Sequence, residues 1–353
     1  MQNNLPTSAP QCDVDPAGDL ILLVGQGKDQ TPIRVSSKVL SLASPVFATM
    51  FGPRYLEGHI LSKQARFSTP SFPLPEENPE AMTWFCRAVH LQLNADVATM
   101  KIGLILKLAA LCDKYDASTA LSGWSRLEME SVSSSLLQIY DLPSRHPPTM
   151  VDFASYALYT SYAFKNHRTF WLATRNIAHH NSLRDMFAQK KKYKDSVLPS
   201  RLFDSIGTLC RATLVTIHRA IEEVIKPYTD HQCPPYHHDH REMCGALTVI
   251  GHFFQELSRL GLWPISKLER LEAGSLSQLK EKISLFEPCS MSSKTSKNAC
   301  FIPIINIKKA LHLAAEEIHR NQKGLCLRCV YEGRIMVNGN CMAESHDSCK
   351  GKN

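Results

Sequence analysis

The stretch from residue 19 to residue 51 constrains the fold most, because short apolar segments alternate there with residues that stop each of them. Asp19-Leu20-Ile21-Leu22-Leu23-Val24 reads as a buried strand. Gly25-Gln26-Gly27-Lys28-Asp29 ends it with the paired glycines and polar filling of a hairpin turn. A second short strand follows at Pro32 to Val35. Ser36 or Ser37 then caps a short helix carrying Val39, Leu40 and Leu42, and Ser44-Pro45 opens another with Val46, Phe47, Met50 and Phe51. A capping oxygen satisfies a free N–H of the first turn, and proline at the first helical position gives up no hydrogen bond. Nucleotide-binding readings fail on the same residues. Gln30 stands where Gly25-x-Gly27 would need a third glycine, and Pro32 to Val35 is strand-like where that motif needs a helix. Gly27-Lys28-Asp29 lacks the Ser or Thr that a phosphate loop carries after its lysine.

After a polar stretch, Phe72-Pro73-Leu74-Pro75 is a short extended piece, and Asn78-Pro79-Glu80 opens a helix with Met82, Phe85, Cys86 and Val89 on one face. Val97 to Tyr115 predicts a stronger helix. Ile102, Ile105, Ala109 and Cys112 form one stripe and Leu104, Leu108, Leu111 and Tyr115 another, an apolar arc wide enough to imply burial on more than one side.

Four blocks, in order, resemble the BTB/POZ family, and most closely the variant abundant in filamentous fungi. They are Asp19 to Val24, Val35 to Phe51, Leu74-Pro75-Glu76-Glu77-Asn78-Pro79-Glu80-Ala81, and Leu108-Ala109-Ala110-Leu111-Cys112-Asp113-Lys114-Tyr115-Asp116. The resemblance implies an α+β domain over 18–122, a small sheet with a cluster of short helices. It also implies a binding role: homodimerisation, heterodimerisation or docking onto a cullin-type ubiquitin-ligase scaffold. Many members carry a histidine where Ser36 stands, so nothing that rests on that histidine transfers. Cullin-binding members carry a hydrophobic-x-Glu motif after the second helical segment, and Tyr55-Leu56-Glu57 fits it. Tyr55 would be the aromatic anchor and Glu57 the orienting charge; a plain surface loop ending in Glu57-Gly58 is the competing reading.

Beyond Gly123-Trp124 the sequence predicts a mainly α-helical region. The expected organisation is a disordered tail at 1–17, the first domain at 18–122, a helical extension at 123–230, a His/Cys loop with a second helical segment at 231–320, and a Cys-rich tail at 321–353. Phe170 to Ile177 and Leu183 to Phe187 read as helices separated by a polar turn, Ala178-His179-His180-Asn181. Phe170-Trp171-Leu172-Ala173-Thr174-Arg175 resembles, more loosely, a stretch of the helical extension in the same fungal proteins. Ile206, Leu209, Cys210, Thr213, Ile217, Ile221, Val224 and Ile225 trace an amphipathic helix expected to stop at Pro227. Ala246 to Leu260 is amphipathic and is turned by Gly261-Leu262-Trp263-Pro264. Ser275-x-x-Gln278 has the form of a capping box, and a last helix is expected at Ile305 to His319.

Eight of the 12 cysteines lie beyond residue 230, often near histidine, which favours metal binding over disulfides in a reducing compartment. His231-x-Cys233, His237-His238, His240 and Cys244 sit together but match no finger spacing, and a solvated loop is the alternative. Cys326-x2-Cys329 has the spacing at which two thiolates chelate one tetrahedral ion, and Cys341-x4-His346 or Cys341-x7-Cys349 would close the site. Gly333 and Asn338-Gly339, within Tyr331 to Asn340, suit a hairpin that folds the halves together. Structural zinc, independent reduced cysteines and a redox pair all remain open for these residues. His346 rather than Cys349 as the fourth ligand is what the family resemblance implies. Such a closed site would stabilise the tail and would not catalyse.

Hydrophobic residues make up 44% of the chain and charged residues 21%, values that exclude an extended disordered protein. No apolar run reaches the ~20 residues of a membrane helix, and MQNNLPTSAPQ lacks the basic start and apolar centre of a secretory signal. The expected location is therefore cytoplasmic, nuclear or both. The net charge of +7 is modest, and Lys190-Lys191-Lys192-Tyr193-Lys194 is too short to define a nucleic-acid surface. Neither Gly-x-Ser-x-Gly nor His-Glu-x-x-His occurs. The sequence thus points to a non-enzymatic protein-interaction chain. A zinc-containing nuclear regulator that binds nucleic acid or chromatin partners is the alternative.

Overall fold

In a computed structural model of the chain, residues 12–64, 69–92, 100–141, 148–182, 198–229, 245–263, 274–286 and 305–333 are described. They form two compact units, Met1–Ser134 with Tyr156–Thr169, and Ser135–Ser155 with Phe170–Asn353.

The first unit holds a four-stranded sheet of β1 (Cys12–Asp13), β2 (Leu20–Val24), β3 (Thr31–Val35) and β4 (Ser71–Leu74), in the order β1-β3-β2-β4. β2 and β3 are antiparallel, with Leu22 opposite Ile33, while β4 runs parallel to β2 with Phe72 opposite Leu22. Leu20, Leu22 and Val24 are fully buried and alternate with half-buried Ile21 and Leu23, so β2 has one face in the core. The turn after β2 needs its glycines: Gly25 and Gly27 have φ of +86° and +59°, values that L side chains rarely adopt.

The expectation of a disordered tail through residue 17 is corrected for its described part. Cys12 and Asp13 pair with Ile33 and Arg34 of β3, and Val14 is buried. The Val14 and Asp15 amides both donate to the Arg34 carbonyl, and the Arg34 Nε donates to the carbonyl of Gly18 at 3.0 Å. An exposed edge of β3 is what makes that pairing favourable, because its backbone groups otherwise lack partners in the sheet.

Helices α1 (Ser37–Ala43) and α2 (Pro45–Met50) start as the sequence predicts. Ser36 Oγ accepts from the Val39 amide and Ser44 Oγ from the Phe47 amide. α3 (Leu56–Gln64) comes next, then α4 (Pro79–Val89), capped by Asn78 and packed on α5 (Ile102–Lys114). Both predicted stripes of α5 are represented in the core, by Ile105, Leu108, Ala109, Leu111 and Cys112, whereas Ile102 at its start is exposed. Phe47 centres the core: its ring stacks on Tyr115 at 4.4 Å, with Phe51 at 5.6 Å and Phe85 at 6.4 Å. His90 joins α4 to the start of α1. Its Nε2 accepts from the Ser36 amide at 3.1 Å, so Nδ1 carries the proton that is donated to the Cys86 carbonyl.

This unit continues past residue 122. In its part of α6 (Ser122–Tyr140), Trp124 meets Phe164 edge-on at 5.5 Å, and the Met129 carbonyl accepts from Thr169 Oγ1 at 3.1 Å. Those buried contacts draw parts of α7 (Pro148–Ala163) and α8 (His167–His180) into the same unit.

The second unit is helical in its described residues. α9 (Ser200–Thr229) buries Leu202, Phe203, Ile206, Leu209, Cys210, Leu214 and Ile221. It runs past Pro227, correcting the expected stop: in the last turn the missing proline N–H costs one hydrogen bond without ending the helix. α10 (Gly245–Arg259) turns at Gly261, and α11 (Leu276–Ser284) carries the complete Ser275/Gln278 capping box. Both α9 and α11 pack on α12 (Ile305–Asn321). A further short helix, α13 (Leu327–Tyr331), comes after it, so α12 is not the last and Tyr331 belongs to a helix rather than to the start of a hairpin.

Candidate functional site

The Tyr55-Leu56-Glu57 triplet sits at the start of α3. Tyr55 is 49% and Leu56 70% exposed, and Glu57 lies half-buried in the first turn. The Tyr55 amide donates to the Gly52 carbonyl at 3.2 Å, which ties the triplet to the end of α2. Leu42 and Val46 of α1 and α2 are also exposed, so three consecutive helices each present an apolar side chain to solvent. Gly58 allows the approach, since a Cβ there would collide with the Gly52 carbonyl oxygen. Gly58→Ala is therefore expected to destabilise the protein by about 1–3 kcal/mol. Denaturant unfolding checks this, and a wild-type midpoint would show that α3 can shift without loss.

Cys326 caps α13 and Cys329 lies within it; both are buried and neither forms a disulfide. The donor set fits half of a zinc site, two thiols with the right spacing and no competing covalent bond. Cys341, His346 and Cys349 lie outside the described residues, as do the loop at 231–244, the segment from Leu183 to Phe187 and the lysine run at 190–194. Among the described residues no group of three or more His, Cys, Asp or Glu is placed to hold a metal. Burial raises the thiol pKa of Cys86, and pushes those of Cys112 and Cys210 up to about 12. These three thiols stay protonated and serve as packing.

The second unit holds a polar cluster that no sequence motif marks. The expected polar turn, Ala178-His179-His180-Asn181, is corrected: residues 178–180 are the last turn of α8, and His179 is 3% exposed. The period from Leu172 through Asn176 to His179 was the available signal, but two adjacent histidines read as a turn. Tyr140 is the centre of the cluster. The Arg175 guanidinium lies 3.5 Å above its ring, the His319 ring stacks on it at 4.5 Å, and the His179 ring is 4.6 Å away. The Tyr140 hydroxyl donates to the His319 carbonyl at 2.7 Å. One turn back on α8, Thr174 Oγ1 accepts from the Leu325 amide at 2.8 Å, while Gly324 presses its backbone against the Trp171 carbonyl. Residues 322–326 thereby form a strap along α8.

Electrostatics in this cluster oppose protonation of the imidazoles. Burial, then His180, His319, Lys280 and Arg175, lower the His179 pKa to about 2. His319 is lowered too, by burial first and Lys280 second, despite its 3.3 Å contact with the carboxylate of Asp141.

No protein-family model matches the chain, and no curated protein or solved structure matches it. Among the described residues no helix is long and apolar enough to cross a membrane.

Proposed function

We propose that the chain is a non-enzymatic interaction protein, with a BTB/POZ-type domain over most of its first unit that dimerises, docks onto a cullin-type scaffold, or does both. The observation that carries this reading is the arrangement of β2 to α5. An antiparallel pair leads into two short capped helices, a returning strand lies parallel to β2, and α4 and α5 pack together. That succession agrees with the four sequence blocks. The exposed Tyr55 and Leu56 at the start of α3 supply an apolar anchor, and Glu57 beside them supplies a charge that fixes orientation.

Two measurements on the full chain test the reading. Light scattering should give a dimer mass, or immobilised cullin should retain the wild-type chain and lose most of it with Glu57→Ala or Tyr55→Ala. A strict monomer that retains no cullin sinks both versions.

The same reading gives Cys326, Cys329, Cys341 and His346 a structural role as ligands to one zinc ion that staples the carboxyl tail. The buried, unbridged state of Cys326 and Cys329 supports it. The full chain should purify with one zinc per molecule, and Cys329→Ser should lower both the zinc content and the thermal midpoint. Metal-free wild-type protein that unfolds identically with and without a chelator would remove the zinc and leave the cysteines as packing.

A further inference from the structure

The cluster around Tyr140 joins three helices of the second unit and contains two imidazoles whose protonation is opposed by burial and by Lys280. The rings of His179 and His319 are 4.8 Å apart, and both Nδ1 atoms are buried with no hydrogen-bond partner among the described residues. The side-chain amide of Gln322, one turn beyond His319, is buried without a partner as well. A second proton on either ring would have no acceptor at its Nδ1. The groups facing His179 are Arg175 and His180 on α8, Tyr140 at the end of α6, His319 on α12 and Lys280 on α11, while His319 itself also faces Asp141 and Glu316. Glu316 is paired with Lys280 at 3.0 Å, and Asp141 is largely exposed, so neither carboxylate is free to neutralise His179 inside the cluster.

We propose that His179 and His319 form an acid-sensitive latch, in which proton uptake releases the end of α12 and the 322–326 strap from α6 and α8. His319 is the movable part. It lies near the end of α12, its carbonyl is held by the Tyr140 hydroxyl, and the strap after it is held by Thr174 and by the close approach of Gly324 to Trp171. Both imidazoles titrate below their ordinary value of 6.5 while the latch is closed. The closed form is therefore fully favoured above that value. It loses ground as pH falls from 6.5 towards the closed-state values, about 2 for His179. His179 raises the opening constant about tenfold per pH unit below 6.5, and His319 adds to this only down to its own closed-state value.

Hydrogen exchange on the full chain, corrected for the intrinsic effect of pH and at fixed ionic strength, reads the latch directly. Between about pH 7.5 and about pH 5, protection of the Leu325 amide and its neighbours should collapse while that of β2 and β3 is retained. Phenylalanine at both positions, His179→Phe with His319→Phe, keeps the rings and removes the titration, and should hold the strap protected throughout. Equal loss of protection in the doubly substituted chain would overturn the proposal, as would a strap whose protection does not change with pH. Histidine-selective carbon NMR of the wild-type chain keeps the test open if that variant fails to fold. Two imidazoles should stay neutral in the closed form below the range where the exposed ones charge. All 15 histidines titrating together near the ordinary value would refute the latch.

Discussion

Phe47→Ala is expected to cost the first unit about 3–5 kcal/mol, the range for emptying a fully buried aromatic site. Phe47 has no exposed surface, and its ring is the one that Tyr115, Phe51 and Phe85 all touch. Those partners are hindered from closing over the gap, because Tyr115 and Phe51 are anchored elsewhere and Phe85 lies against Tyr115 at 5.9 Å. The Tyr115 hydroxyl donates to Glu77 at 2.9 Å, Glu77 is also paired with Lys114 at 2.6 Å, and Phe51 packs on Phe72 of β4. Ser44 makes the site stiffer, since its hydroxyl donates to the Tyr115 carbonyl while it caps α2. Phe47→Leu keeps most of the volume and should cost about 1–2 kcal/mol. Denaturant unfolding followed by the first unit's own probes separates the two. Equal, small losses for both variants would show that this core is not centred on Phe47.

Tyr140→Ala should have an effect of similar size in the second unit, about 3–5 kcal/mol, because it removes a buried ring with partners on two other helices. Tyr140→Phe divides that total. It keeps the ring between Arg175 and His319 and removes the hydroxyl with its hydrogen bond to the His319 carbonyl, for about 0.5–1.5 kcal/mol. A Phe variant as damaged as the Ala variant would place the stabilisation in the hydroxyl rather than in the stacked rings. Tyr140→Ala also exposes His179 to solvent, so its unfolding should become less sensitive to acid than that of the wild-type chain.

Many helix starts in both units were legible in the sequence because their signals are local. Ser36, Ser44-Pro45, Asn78-Pro79 and Ser275-x-x-Gln278 each mark a helix start through atoms within three residues, and the side chains make those bonds. Helix ends were less legible. α8 ran on through His179 and His180, and α9 through Pro227, because packing along the rest of each helix outweighs a weak local stop. The strand at Cys12–Asp13 was hidden for a related reason: two residues have no period, and only the open edge of β3 makes them a strand.

By itself the sequence determined that short strands and capped helices precede a long helical region, and it singled out Tyr55, Leu56, Glu57 and the Cys326-x2-Cys329 pair by their spacing. Tertiary structure alone decided which polar residues leave water. His179 belongs to no motif, and Tyr140 lies 179 residues before the carbonyl it binds. Burial of an imidazole depends on what covers it, and Tyr140, Arg175 and His319 reach it from separate parts of the chain. The 19–51 stretch carries its instructions within itself, whereas the cluster around Tyr140 exists only once α6, α8 and α12 have met.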